Sequence, residues 1–525
     1  MKRREFLKNT GTASLVVPLT LNGLKLSAIP RLPLLNSVDA ANDRVLVIVQ
    51  LLGGNDGLNT IVPIDQYANL QKARPHVILP LNSLIKVTPT VGFHPVMTGL
   101  KNIYDAGNLG IVQSVGYPNQ NRSHFRSVDI WRTGADATQI LTTGWAGRYF
   151  DRLYPGYPIG YPSPTVPNPI AIAMGSFVSE TCQGKLANYS MALDDPFNFS
   201  QVYTGSAAVV PTGNYGRELS FMRDAIKDSN AYASGIAAAA KAGKNTVSYP
   251  DTDIAHQLKN VALMISGGMK TKIYVVTQDF FDTHADQVQR GSTTLGPHAN
   301  LLKTVSDAIN AFRLDLKAQS LEKRVIGVSL SEFGRQIKSN ASNGTDHGTA
   351  APLILFGACV KPQILGKNPV IGSVIADQEG VAMEHDFRDV YGSILEDWFG
   401  ANMTIVKDVF YSGFKHLDLI SAACKITTTT APKAAPETFT STNLKIYPNP
   451  ASSNSTLELS ITEEEYLHIS LVDIRGNQLK VLTNKVMKAG RYQINIDLSS
   501  YLPGTYFVRI TSDKNETQSK SILKL

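Results

Sequence analysis

The sequence predicts an α/β protein whose mostly parallel sheet is flanked by helices, followed by a small C-terminal antiparallel β-sandwich. Three observations carry this. Continuous Val/Ile/Leu runs closed by glycine or polar clusters recur along the front of the chain, helical periodicity fills the intervals between them, and beyond a Thr/Ala/Pro-rich stretch the pattern changes to short alternating segments. Strands buried on both faces read as unbroken apolar runs, whereas half-exposed antiparallel strands alternate.

The N-terminal residues do not belong to that fold. Lys2-Arg3-Arg4-Glu5-Phe6-Leu7-Lys8 precedes a moderately apolar run from about Thr10 to Leu21 that contains Pro18. The run is too short for a membrane span and reads as a removable targeting segment ending near Leu26-Ser27-Ala28, with Val38-Asp39-Ala40 as the competing cleavage site. The paired arginines followed by Phe-Leu-Lys resemble the twin-arginine export signal, which implies the twin-arginine translocase as a partner and passage of the inner membrane in a folded state. No later stretch is apolar for the roughly 18 residues a span needs, so no transmembrane anchor is expected.

The first strand is expected over Arg44 to Leu52, stopped by Gly53-Gly54-Asn55-Asp56-Gly57. Similar runs stand at Leu109 to Val115, Ile273 to Thr277, Val325 to Leu330 and Leu353 to Phe356. Helices are expected over Tyr215 to Lys244, Asp251 to Met264, Pro297 to Leu316 and Phe387 to Phe399; Leu301, Leu302, Val305, Ala308, Ile309 and Phe312 share one helical face. Strands alternating with helices give a mostly parallel sheet, and ligands of such sheets sit beyond the carboxyl ends of the strands.

From Ile426 to Asn443 the composition offers nothing to bury and reads as a linker. Beyond it, Thr456 to Ile461, Leu467 to Asp473, Tyr492 to Leu498 and Thr505 to Thr511 alternate between turns, which predicts the sandwich. The expected division is a leader over 1–28, the α/β body over 29–424, the linker over 425–443 and the sandwich over 444–525. A chain of 525 residues is too long for one ordinary core.

The net charge of +7 is unevenly spread. Five basic residues face Glu5 in the leader and ten basic face eight acidic residues in the tail, which leaves the body one excess positive charge. That near-neutral body excludes nucleic acid as a partner, since such binding needs clustered Lys and Arg. Cys182, Cys359 and Cys424 lack zinc-ribbon spacing, and one disulfide with one spare thiol is compatible with any pairing.

Four polar clusters follow the expected strands. Asp56, in the glycine-rich turn, is placed like a metal ligand. In Asn121-Arg122-Ser123-His124-Phe125, Ser123 reads either as a helix N-cap or as a nucleophilic hydroxyl at a helix N-terminus. Asp282 and His284, two apart after a buried strand, can converge on one cation with His298, which opens the next helix. Glu332, Asp346 and His347 are further candidate ligands or acid/base groups, and Arg335 a candidate anion clamp. Mixed Asp and His donors favour zinc or manganese, with calcium as the alternative. His76, His94, His256, His416 and His468 read as structural.

Two resemblances follow. Leu444-Lys445-Ile446-Tyr447-Pro448-Asn449-Pro450-Ala451, Asp473-Ile474-Arg475-Gly476 and Leu502-Pro503-Gly504-Thr505-Tyr506-Phe507-Val508-Arg509-Ile510 resemble the C-terminal sorting domain of type IX secretion. This implies the type IX machinery as a partner and a location at the cell surface or outside the cell. Leu-Leu-Gly-Gly-Asn-Asp-Gly-Leu-Asn, Ser-His-Phe with the following Asp-Ile-Trp, Thr-Gly-Trp-Ala-Gly-Arg at Thr143 to Arg148, Asp-Thr-His, Ser-Glu-Phe-Gly-Arg, Gly-Thr-Asp-His-Gly and Asp-Phe-Arg-Asp-Val-Tyr at Asp386 to Tyr391 look like the domain of unknown function 1501 family, over about residues 43 to 400. That family is similar in fold to the alkaline phosphatase and sulfatase superfamily.

The resemblance implies a metal-dependent hydrolase of phosphate or sulfate esters. It places Asp56 as the first-strand metal aspartate, Asp282 with His284 or His298 as an Asp-and-His pair, His347 as the late metal histidine and Ser123 as nucleophile. Ser123, His124 and Arg335 are the candidate catalytic residues; Asp56, Asp282, His284, His298, Glu332, Asp346 and His347 are the candidate ligands. Glu332-Phe333 stands where the superfamily often has Asp-His, and the Cys/Ser-x-Pro-x-Arg motif of sulfatases is missing around Ser123, which favours a phosphatase-like esterase. The alternative is a non-catalytic surface protein that retains the fold for binding. A redox enzyme has no nucleotide fingerprint, haem motif or cysteine cluster to support it.

Overall fold

The computed structural model describes residues 43–154, 157–158, 161–197, 230, 232–426, 444–461, 464–473, 478–512 and 517–525. The expected leader and most of the expected linker lie outside them. The chain divides into two compact units, the first mainly Ser37–Arg152 with Tyr161–Thr427, the second mainly Thr428–Leu525.

In the first unit, nine strands form one sheet: β1 (Val45–Leu51), β2 (Leu109–Gly116), β3 (Ala171–Met174), β4 (Ser190–Leu193), β5 (Ile273–Gln278), β6 (Val325–Leu330), β7 (Ala351–Phe356), β8 (Gln363–Leu365) and β9 (His385–Asp386). Their order is β8-β2-β7-β6-β1-β5-β3-β4, with β9 also pairing β2. All pairings are parallel except those of β7 with β2 and β6. The five strands expected from apolar runs are present. The runs of β3 and β4 are four residues each, too short to stand out by pattern.

Every residue of β1 is buried. Val45, Val47, Val49 and Leu51 join a core that includes residues of α1 (Thr98–Asp105), α3 (Asp253–Ser266) and α4 (Pro297–Ala318). Leu46 and Ile48 alternate to the opposite face and are also inaccessible, so the sheet is covered on both sides. Pro297 sits in the first turn of α4, where its missing N–H costs no helical bond.

The register aligns one edge of the sheet. Leu51 lies opposite Gln278, and Gln50 opposite Leu330, so β1, β5 and β6 end together. Antiparallel β7 begins at that edge, Ala351 opposite Val115 near the end of β2. The loops leaving β1, β2, β5 and β6 and the loop entering β7 therefore meet at one place, with α2 (His124–Thr133) following the β2 loop. Cys359 and Cys424 form a disulfide, and Cys182 is a buried free thiol.

In the second unit, β10 (Lys445–Tyr447), β11 (Asn454–Ile461) and β14 (Gly490–Asp497) form one antiparallel sheet. The strands β12 (Glu465–Val472), β13 (Gln478–Met487), β15 (Gly504–Ser512) and β16 (Thr517–Lys524) form another. Leu457, Leu459 and Ile496 of the first sheet share one core with Leu467, Ile469, Leu471, Val508, Ile510 and Ile522 of the second, which makes the unit a sandwich. No helix among the described residues is long and apolar enough to cross a membrane.

Candidate metal centre

Three imidazoles and one carboxylate converge at the aligned sheet edge. Asp282 arrives on the loop after β5, which crosses the backbone of Gly53. A Cβ at Gly53 would stand 2.3 Å from the Asp282 nitrogen, and its φ of +121° also demands glycine. Gly54 likewise gives way to the ring of Phe333, 2.4 Å from where its Cβ would be. His124 opens α2, and this helix is fixed from behind: Ser127 Oγ and Trp131 Nε1 both donate to the Glu332 carbonyl at 2.5 and 2.9 Å.

Each ring is held through Nδ1 by an oxygen. His124 Nδ1 meets Glu332 Oε1 at 2.7 Å, His284 Nδ1 meets Asp346 Oδ1 at 2.7 Å, and His347 Nδ1 meets the Arg122 carbonyl at 2.9 Å. A carbonyl or carboxylate only accepts, so the Nδ1 atoms carry the hydrogens and the Nε2 atoms of neutral rings present lone pairs. Those lone pairs gather around Asp282: Nε2 of His284 and of His347 are 3.1 and 3.3 Å from Oδ1, and His124 Nε2 is 3.4 Å from Oδ2. His284 Nε2 and His347 Nε2 are 2.7 Å apart. Two facing lone pairs repel, and a cation or a proton between them removes the conflict.

Ligand atoms of His124, Asp282 and His347 all lie within 4.8 Å of one another. His124 Nε2 is buried without a hydrogen-bond partner. This donor set fits one divalent cation, with the Nδ1 acceptors in the supporting role that metal-binding imidazoles require. Phe333 packs against the rings of His124 and His347, with centroids 4.9 and 4.7 Å away, and fills the space on that side with hydrocarbon.

Charge follows the same arrangement. The hydrogen bond that His124 donates to Glu332 raises the His124 pKa against the effect of burial, while burial chiefly lowers that of His347. Burial would raise Asp282, but the hydrogen bond and charge of Arg335 outweigh it and hold the carboxyl below its ordinary range.

Several sequence expectations are corrected. Asp56 is fully buried and both its oxygens meet Arg74 Nη1 at 3.1 Å, with Gln287 Nε2 donating to Oδ2 at 2.7 Å. Its charge is already compensated, so it is an internal ion-pair residue instead of a ligand. His298 is buried with Nε2 bonded to Asn55 Oδ1 at 2.9 Å, outside the cluster. Glu332 and Asp346 orient imidazoles rather than joining the ligand group.

Arg335 is sealed in and cannot clamp an anion. Nε donates to the Gly54 carbonyl at 2.6 Å, Nη1 to that of Thr345 at 2.8 Å, and Nη2 to the carbonyls of Gly53 and Phe281 and to Asp282 Oδ1 at 2.7 Å. It positions Asp282. Arg122 is committed to the carbonyls of His347 and Gln378. Ser123 is exposed at the N-cap of α2, and its side chain makes no capping bond. His124, a candidate catalytic residue by sequence, lies in the imidazole–carboxylate group with Asp282 and His347; the signal for this is its place after a strand ending at the same edge as β5.

The cluster opens on a cleft of about 580 Å³ lined by Leu52, Gly53, Phe125, Val128, Phe280 and Glu332, among others, with Asp282 and His124 at its wall.

The fold and the site define a class of protein: a mostly parallel sheet covered on both faces, with a carboxylate–imidazole cluster at its carboxyl edge and a separate antiparallel sandwich. Residues 243–396 match the family model described as "Protein of unknown function (DUF1501)", and residues 445–524 match the "Secretion system C-terminal sorting domain". A segment similar to the DUF1501 model is thus followed by a type IX sorting domain, and the latter indicates export to the cell surface or secretion. The DUF1501 match is shorter than the span expected from motifs and holds Asp282, His284 and His347 but not His124.

No curated protein matches the chain. Among solved structures, it is similar to a protein in the alkaline phosphatase superfamily from Vibrio parahaemolyticus (10% identity, 99% of this chain and 91% of that one, TM-score 0.35). It is also similar to the PsFucS1 sulfatase from Pseudoalteromonas sp. (12% identity, 91% and 91%, TM-score 0.30). A third is the alkaline phosphatase from the Antarctic bacterium TAB5 (9% identity, 63% and 92%, TM-score 0.25).

Proposed function

We propose that the chain is an exported metal-dependent hydrolase of phosphate or sulfate esters. The observation that carries this reading is the convergence of the Nε2 atoms of His124, His284 and His347 on Asp282 at the wall of an open cleft. Imidazole nitrogens with one carboxylate suit zinc or manganese better than calcium, which prefers an all-oxygen shell. A bound divalent cation supplies charge neutralisation for an anionic ester and lowers the pKa of a nucleophile's proton. The ester class comes from the resemblance of the motifs to the alkaline phosphatase and sulfatase superfamily.

The chain's own residues have distinct parts in this. Glu332, Asp346 and the Arg122 carbonyl keep the Nδ1 protons in place, so the opposite nitrogens are the ones that would hold a cation. Arg335 fixes Asp282 and leaves its carboxylate ionised. Phe333 excludes water from one side of the rings. Ser123 is exposed, makes no capping bond and lies outside the group of converging ligand atoms, so water is taken as the nucleophile.

The test is metal analysis of the purified full-length protein after loading with zinc or manganese, joined to a screen of phosphate and sulfate esters. Stoichiometric metal and metal-dependent ester cleavage are expected. A protein that retains no metal after loading, and whose cluster variants behave as the parent does, overturns the proposal.

A further inference from the structure

The cleft beside the cluster is bounded by two aromatic side chains that the fold leaves in solvent. Phe280 is 81% exposed and Phe125 92% exposed, and both line the cleft together with Asp282 and His124. Each is adjacent in sequence to a buried or cluster residue: Phe280 precedes the fully buried Phe281, and Phe125 follows His124. The contrast between Phe280 and Phe281 shows that the loop does not need two aromatic side chains for packing.

Phe280 also has φ of +78°, a left-handed conformation that a bulky side chain rarely adopts. Glycine would relieve that strain, and a polar residue would suit the solvent. An exposed aromatic held in a strained backbone beside a candidate reaction centre is the kind of outlier that points to a ligand contact. The lining supplies the complement, because Leu52 and Val128 add apolar surface while the nearby Arg132 is occupied by Glu180 at 3.2 Å.

We propose that Phe280 and Phe125 form an aromatic clamp that holds a flat, apolar ring on the alcohol side of the ester, so that the preferred substrates are aryl esters. This rests on the hydrolase reading, since the clamp is placed by the cluster that would hold the anionic end. Aromatic faces gain from stacking on a ring beyond simple area burial and gain little from a methyl group. The volume of about 580 Å³ falls within the usual range for small-molecule sites.

The experiment compares phenylphosphonate and methylphosphonate binding by calorimetry to the zinc-loaded full-length protein, and to its Phe280→Gly and Phe125→Ala variants. The parent is expected to bind phenylphosphonate about tenfold more tightly than methylphosphonate. Each variant should lose most of that preference while keeping the methylphosphonate affinity, and Phe280→Gly should keep or raise the melting temperature because glycine accepts the backbone angle. Equal affinity of the two phosphonates for the parent, or an undiminished preference in both variants, overturns the clamp and leaves the hydrolase reading standing. Absence of binding by either phosphonate to metal-loaded protein overturns both.

Discussion

His284 Nε2 and His347 Nε2 face each other at 2.7 Å, and each ring is pinned on its far nitrogen by an oxygen that can only accept. Neither ring can turn to offer its own hydrogen without surrendering a hydrogen bond. A cation or a proton between them would relieve the repulsion of the two lone pairs, and Asp282 beside them would supply the matching negative charge.

Removal of a ligand should abolish metal binding. His347→Ala and Asp282→Ala are expected to copurify with no zinc or manganese, and ester cleavage should fall by at least about 100-fold. Ser123→Ala, by contrast, should retain metal and stay within about threefold of the parent rate, well short of the loss expected for a nucleophile. Elemental analysis and initial rates read both outcomes, and a dead but metal-replete Ser123→Ala protein would restore serine to the mechanism.

The oxygens behind the rings should matter nearly as much. Glu332→Gln and Asp346→Asn preserve shape while weakening the hold on His124 and His284, and metal affinity should drop about 10- to 100-fold. Competition with a chromophoric chelator measures it. Unchanged affinity in both would mean that neighbouring packing alone fixes the rings.

Chelation should lower stability by mass action. At a free metal concentration about 100 times the Kd, the bound ion contributes about 2.7 kcal/mol, and the melting temperature should fall on adding a strong chelator and recover on reloading. His347→Ala should melt at the same temperature with and without the chelator.

Asp56 gives the contrasting case. Its ion pair with Arg74 has no solvent contact, so Arg74→Met leaves a buried charge uncompensated and is expected to cost about 3–5 kcal/mol. Metal content of whatever folds should be unaltered. Denaturant titration with metal analysis separates this from a role as ligand.

Acid should weaken the fold through His298 and His94. Burial is the leading cause that pushes His298 down to about 4 and His94 to about 3, against about 6.5 in an unfolded chain. As pH falls below about 6.5 the unfolded chain gains protons that the folded chain refuses, so stability is complete above that value. It then declines until about 4 for His298 and about 3 for His94. The loss through His298 alone is on the order of 3 kcal/mol. His298→Gln should flatten that part of the stability-against-pH curve relative to the parent; an unchanged slope would refute the assignment.

The legibility of the sequence varied with how local each signal was. Val45 to Val49 form an unbroken apolar run because both sides of the strand are covered, so the strand can be read without its neighbours. The same holds for the alternating Leu457, Leu459 and Ile461 of the sandwich. Asp56 misled because a carboxylate after a strand has one appearance in sequence whether it meets a cation or an arginine. Its partner Arg74 stands in an undistinguished Gln-Lys-Ala-Arg-Pro stretch. His298 has the same ambiguity, resolved only by Asn55 across the fold. The pairing of Cys359 with Cys424 likewise needed the three-dimensional path of the chain.

The antiparallel strand β7 brings His347 to the edge at its entrance, while Asp282 leaves from the exit of β5 and His124 arrives by way of α2. No short peptide of this chain contains the whole donor set. An ion held by this donor set would therefore be captured only after tertiary assembly, in whichever compartment the last strand docks.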